Sequence, residues 1–155
     1  MKNIGLFCLF LICIVFVSCN KSEKKQVKEE KPISVNCYKA LFEDDTLDLK
    51  INTLKDGKIT GNLVMKLLNM PVKTGKIAGE FRGDTLFADY SFIQGANKDR
   101  TFKNPIAILK RGNELILGNG KIETYLGASY FVKGEPIDFD NVKYKFTAID
   151  CVDKN

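Results

Sequence analysis

The sequence predicts an all-β fold, an eight- to nine-stranded antiparallel meander closed as a small barrel, with a β-sandwich as the alternative. Three observations predict it. Apolar and polar residues alternate through most of the chain after position 34, the period-two spacing of half-buried strands. Glycine-bearing turn sequences separate the alternating runs, and connections this short join antiparallel neighbours. No stretch has the spacing of a convincing amphipathic helix. Roughly 120 residues, 35–155, are left for folding, enough for one core and not two.

Taken in order, Tyr38, Ala40 and Phe42 open the series. Leu47, Leu49 and Ile51 alternate with Asp48, Lys50 and Asn52. Lys55-Asp56-Gly57-Lys58 then supplies a hairpin turn, since Asp-Gly accepts the positive φ angles of type I′. Ile59, Gly61, Leu63 and Met65 carry the alternation onward. A second hairpin sets Ile77, Gly79 and Phe81 on one face, turns at Arg82-Gly83-Asp84, and returns through Leu86, Ala88, Tyr90 and Phe92. Asn97 to Arg100 reads as a polar loop. Ile106 to Leu109 is a continuous apolar run, and Arg111-Gly112-Asn113 turns into Leu115 and Leu117. Beyond Gly118-Asn119-Gly120, Tyr130 to Val132 is a candidate strand, and Val142, Tyr144, Phe146 and Ala148 alternate with Lys143, Lys145 and Thr147. A meander of this length closes to protect its edges. Inward glycines at 61, 75 and 79 suit the bends of a small barrel.

The N-terminus has a different character. Met1-Lys2-Asn3 is followed by an apolar run from Ile4 to Val17, shorter than the roughly 20 residues of a membrane-spanning helix and ended by the small Ser18. Residues 1–18 are therefore expected to be a signal peptide. The tetrad Phe16-Val17-Ser18-Cys19 resembles the lipobox of bacterial lipoproteins, with Phe16 departing from the usual Leu. The resemblance implies that Cys19 is acylated, which would anchor the domain stably once two or more chains are attached. Residues 19–34 then form the lipidated cysteine and a polar tether, because Asn20 to Pro32 has only Val27 as an apolar side chain and cannot bury enough surface to order itself. The expected location is the bacterial outer membrane, facing the periplasm.

Five cysteines are sorted by fate: Cys8 and Cys13 leave with the signal peptide and Cys19 is acylated. That leaves Cys37 and Cys151, expected to pair as a disulfide in an oxidising compartment. The formal net charge of +5 is spread along the chain rather than clustered, and no nucleic-acid-binding motif accompanies it. Nucleic acid is excluded as an expected partner.

The chain has no histidine, which removes the commonest general base and metal ligand together. No catalytic residue, cofactor or metal is assigned, and an enzyme is not expected. Glu43-Asp44-Asp45 reads as a solvated turn. Asp138 and Asp140 have the alternate spacing of calcium-binding carboxylates without the rest of such a loop. Arg82-Gly83-Asp84 spells an adhesive tripeptide but reads as a turn, as does Arg111-Gly112-Asn113. The inward aromatics Tyr38, Phe42, Phe81, Tyr90, Phe92, Tyr144 and Phe146 are candidates to line a cavity for a small apolar ligand, as in lipocalin-like barrels, or else to fill the core. Tyr125, Tyr130 and Phe131 lie in the least regular stretch and are the first candidates for a protein contact.

The segments Thr74 to Phe92 and Ile106 to Ile116, with the paired cysteines, resemble small uncharacterised lipoproteins of the Bacteroidetes type with a calycin-like, up-and-down barrel. The resemblance implies a location and a fold and no activity. The expected function is a membrane-anchored, non-enzymatic binding domain of the cell envelope. The alternative is a periplasmic protein-interaction module such as an enzyme inhibitor, stress sensor or accessory subunit.

Overall fold

The computed structural model describes residues 30–151. The expected signal peptide, Cys19 and the tether up to residue 29 lie outside the described residues. Ten strands follow one another: β1 Ser34–Phe42, β2 Asp45–Thr53, β3 Lys58–Lys66, β4 Lys73–Arg82, β5 Thr85–Gln94, β6 Asn97–Arg111, β7 Glu114–Leu117, β8 Ile122–Tyr125, β9 Ala128–Phe131 and β10 Lys145–Ile149. Eight of them close a barrel in the order β1-β10-β7-β6-β5-β4-β3-β2, while β8 and β9 form a separate hairpin. This is a closed, eight-stranded antiparallel barrel in meander order, an arrangement consistent with a lipocalin-like fold. A sandwich is set aside because β1 pairs with both β2 and β10, leaving no free edge between first and last strands.

Alternation selects the inward face. Ala40, Leu47, Leu49, Leu63, Ile77, Leu86, Tyr90, Ile108 and Phe146 are buried together in one core. Side chains on this phase leave water while their neighbours stay on the outer wall, which is why a one-residue slip would turn the barrel inside out. The inward glycines fit the expectation made for them. A Cβ at Gly75 would run into the Ser91 carbonyl and the Phe92 backbone, and one at Gly79 into the Phe87 carbonyl and Ala88. The strands approach too closely there for any side chain.

Turn chemistry follows the sequence with one change. Gly83 and Gly112 take φ of 60° at the first position of two-residue turns, the pattern of type II′. At Asp56-Gly57 only Gly57 has positive φ, and its N–H donates to the Leu54 carbonyl over 3.0 Å. The expected type I′ turn is instead a type I turn closed by a left-handed glycine.

Three further expectations are corrected. Asn97 to Arg100 is not a loop but the start of β6, with Gln94 paired to Asn97 across a turn at Gly95. The segment is exposed on both faces, so pairing rather than burial makes it a strand. The last strand begins at Lys145 rather than Val142. Before Tyr130, β8 adds a strand that composition did not show.

The continuous run at Ile106 to Leu109 has a specific cause. Ile106 and Ile108 face the core, whereas Ala107 and Ile116 belong to the outer phase yet are fully buried. The connection after β9 lies against this outer wall. Ile137 and Phe139 crowd Gly118, whose N–H donates to the Ala107 carbonyl, and Asn119 bridges Asp138. One part of the wall is therefore covered on both sides, and a strand there has no polar face to show.

The topology gives the barrel two unlike ends. The chain enters at the near end, where β1 starts, β10 finishes and the tight turns at 54–57, 83–84 and 112–113 lie. The far end carries the turn at 43–44, the loop at 67–72, the turn at 95–96 and the long excursion 118–144 with its hairpin.

Candidate binding site at the far end of the barrel

The expected aromatic lining divides into three groups. Tyr90, Phe92 and Phe146 are buried in the core, and Tyr38 and Tyr144 pack against it partly buried. Phe42 is half-buried, edge-on to Tyr144 at 6.3 Å. Phe81 is the correction: it has the inward phase but is 39% exposed, because it sits at the end of β4 where the barrel wall stops. In the middle of the barrel Leu47, Leu63, Leu86, Ile108 and Phe146 have no exposed surface. These side chains fill the interior there.

Toward the far end the filling thins. A vestibule of about 180 Å³ opens there, lined by Met65, Tyr90, Phe92, Ile106, Leu117, Ile122 and Phe131, with Lys73, Asn104 and Asn119 among its polar members. Elements on three sides position it: β4 and β5 bring Lys73, Tyr90 and Phe92, β6 brings Asn104 and Ile106, and the excursion after β7 brings Ile122 and Phe131. Its back wall is an aromatic ladder. Tyr90 stacks on Phe92 at 4.7 Å, and Phe92 on Phe102 at 5.5 Å. The Tyr90 hydroxyl donates to the Leu63 carbonyl over 2.9 Å, and burial pushes its ionisation far above the usual tyrosine range. The hydroxyl is thus committed to holding the ladder and stays protonated. The Lys73 ammonium lies 5.6 Å from the centre of the Phe92 ring, and the Arg100 guanidinium 4.8 Å from that of Phe102, both within cation–π range.

A carboxylate fixes the rim. Asp45 was expected in a solvated turn, but its carboxylate accepts the Leu68 N–H over 2.7 Å and the Tyr144 hydroxyl over 2.6 Å. Those two bonds, the one to Tyr144 first, hold Asp45 below its ordinary range. Burial and the same bond push Tyr144 up to about 12. The link joins β2, the 67–72 loop and the segment before β10, clamping three far-end segments together.

The excursion is fixed by Asp138 and Asp140. The Asp138 carboxylate accepts N–H groups of Asp140 and Asn141 and the Asn141 amide, which holds it below its ordinary range. Asp140 pairs with Arg111 at 3.0 Å. The two carboxylates thus close a loop. Among the described residues no three His, Cys, Asp or Glu side chains form a metal-ligand group.

The hairpin bears the most exposed apolar residue of the far end, Leu126. Tyr125 is 66% exposed and Leu126, at φ 49°, is 89% exposed. Leu41, Leu68, Met70 and Val72 are exposed at the same end. Of the three residues expected at a protein contact, Tyr125 and Tyr130 are exposed while Phe131 turns into the vestibule.

Two shallow grooves lie on the outer wall. One of about 520 Å³ runs over β3 to β6 past Thr60, Ala78, Phe87 and Pro105. The other, of about 410 Å³, passes Lys39, Lys50, Val64 and Lys66 beside the near-end disulfide. Cys37 and Cys151 are bonded as expected, with Cα atoms 5.2 Å apart.

Sequence reasoning missed Lys73, Asn104 and Asp45. The first two carried a readable signal, since each is polar on the inward phase of a strand. Asp45 did not, because its partner Tyr144 is 99 residues away. No protein-family model, curated protein or solved structure matches the chain.

Proposed function

We propose that the chain is a lipid-anchored, non-enzymatic binding domain of the bacterial cell envelope, held to the outer membrane on its periplasmic side through Cys19. On this reading it binds a small apolar molecule in the far-end vestibule. It retains the resemblance to Bacteroidetes-type lipoproteins drawn from the sequence. The observation that carries the binding role is that side chains such as Leu63, Leu86, Ile108 and Phe146 have no exposed surface while the barrel opens into the vestibule at the end opposite the start of β1. An anchor at one end and an opening at the other leave the opening accessible to a diffusing ligand. The volume limits the ligand. A dry cavity of about 150 Å³ holds a benzene ring, so one ring or a short chain fits and a full-length lipid does not.

The test is a panel of single-ring apolar probes titrated into the mature chain made soluble by Cys19→Ser. Saturable one-to-one binding that is lost in Leu117→Trp, which fills the vestibule from β7, is expected. No binding to a wild-type domain with a normal unfolding midpoint contradicts the role.

A protein contact is the second function, favoured by the hairpin tip. A β-branched or long side chain at positive φ is costly and recurs where surroundings or function retain it, and Leu126 meets that description in full exposure. Pull-down of the acylated, tagged chain from its own membranes is expected to recover a stoichiometric partner that Leu126→Asn loses. An empty pull-down with wild type removes this function.

A further inference from the structure

From the charges around the vestibule we infer that its ligand is a small monoanion, a carboxylate on a single-ring or short apolar body, with Lys73 as the group that selects the charge. This rests on the vestibule being the binding site and adds the class of ligand. The lining contains one cation, Lys73, and no Asp or Glu. Among the described residues neither Lys73 nor Arg100 makes an ion pair with a carboxylate. Lack of an ion pair does not single them out, since Lys50, Lys66, Lys76 and Lys145 also lie in strands without one among the described residues; Lys73 differs in lining the vestibule.

Lys73 and Arg100 also stand together. They stand over consecutive rings of one ladder, Lys73 over Phe92 and Arg100 over Phe102, and those two rings stack on each other at 5.5 Å. Phe92 is buried and lines the vestibule, so the ammonium held over it is drawn to the mouth of an apolar pocket. Apolar walls weaken screening and strengthen an ionic contact at the rim. Asn104 and Asn119 supply further polar contacts from the lining. An apolar body would rest on the Tyr90–Phe92 face while its carboxylate meets the ammonium. A neutral ligand would gain only the first of these contacts, and a cation would be repelled by both side chains.

Benzoate and its neutral counterpart benzamide discriminate, titrated into the Cys19→Ser mature chain while backbone amide shifts are followed. Benzoate is expected to saturate with a Kd of roughly 0.1 to 5 mM, the range for a ligand of about nine heavy atoms. It is expected to bind about tenfold more tightly than benzamide, as one charge-assisted contact implies. Lys73→Met should remove that preference, bringing the ratio of the two Kd values to about one. Equal binding of the two in wild type, or a benzoate preference that survives Lys73→Met, overturns the anionic class while leaving the vestibule as a neutral apolar site. Binding of neither molecule overturns the inference and the vestibule together. Lys73→Arg keeps the charge and should keep the preference, separating charge selection from a packing role of the lysine stem.

Discussion

Removing the Cys37–Cys151 bridge tests how the barrel is closed. The bridge joins residues 114 apart in sequence, and it lies where closure is thinnest. β10 has only three paired positions with β1 and three with β7, whereas β4 and β5 pair along ten residues each. In the chain-entropy treatment a loop of this length restricts the unfolded chain by about 4.8 kcal/mol at 25 °C, and measured losses of native disulfides run from about 2 to 5 kcal/mol. Cys37→Ala with Cys151→Ala is therefore expected to lower stability by about 3 to 5 kcal/mol. With a urea dependence of about 1.5 to 2 kcal/mol per molar for a domain of this size, the midpoint falls by roughly 2 M. The assay is urea unfolding of wild type and double variant, each with and without reductant. Reductant should bring wild type to the variant's midpoint and leave the variant unmoved. A loss below about 1 kcal/mol would refute the reasoning and place the closure in the β1–β10 ladder itself.

Three other perturbations follow from the packing. Gly75→Ala puts a methyl against the Ser91 carbonyl and the Phe92 backbone and should cost about 1 to 3 kcal/mol by overpacking, read from the same urea curves; an unchanged midpoint contradicts the close approach. Leu126→Asn relieves a left-handed leucine beside Gly127, also at positive φ, and should stabilise the β8–β9 hairpin by about 1 kcal/mol, seen as slower amide exchange within β8 and β9; faster exchange would mean the leucine is packed where it stands. Asp45 has a folded pKa below its ordinary 3.8, so its contribution is present above that value and is lost as pH falls through the folded pKa. The stability difference between wild type and Asp45→Asn should accordingly be constant from pH 7 to 5 and shrink below about pH 4; a difference that does not change with pH would show that the carboxylate's charge is not what Tyr144 and Leu68 bind.

The barrel was legible because its causes are local. From Leu47 to Ile51 in β2, Ile59 to Leu63 in β3 and Leu86 to Phe92 in β5 the alternation is unbroken and each inward residue is hydrophobic or glycine, so pattern and burial coincide. The cysteine pairing was legible from chemistry, once Cys19 was set apart by its resemblance to a lipobox cysteine. What escaped depends on distant contacts. Asn97 to Arg100 has the composition of a loop and is a strand only because β5 continues beside it. Ala107 and Ile116 are buried on the outer phase, in the part of the wall where residues 137 and 139 close over Gly118. Phe81 failed for the opposite reason: its phase is right, but phase does not say where a strand leaves the wall. The vestibule is legible in part. Lys73 breaks the inward pattern at the far end of β4 and Asn104 midway along β6, which marks an opening, but its size depends on how Ile122 and Phe131 fold back over it.

The most direct test of binding at the far end is to map the backbone amide shifts caused by a saturating single-ring apolar probe. Shifts are expected to gather on Met65, Phe92, Ile106, Leu117 and Ile122 and to spare Lys39, Asp48 and Asn62 on the outer wall. Shifts confined to the outer grooves, or none at saturation of the probe's solubility, would contradict a binding site at the open end of the barrel.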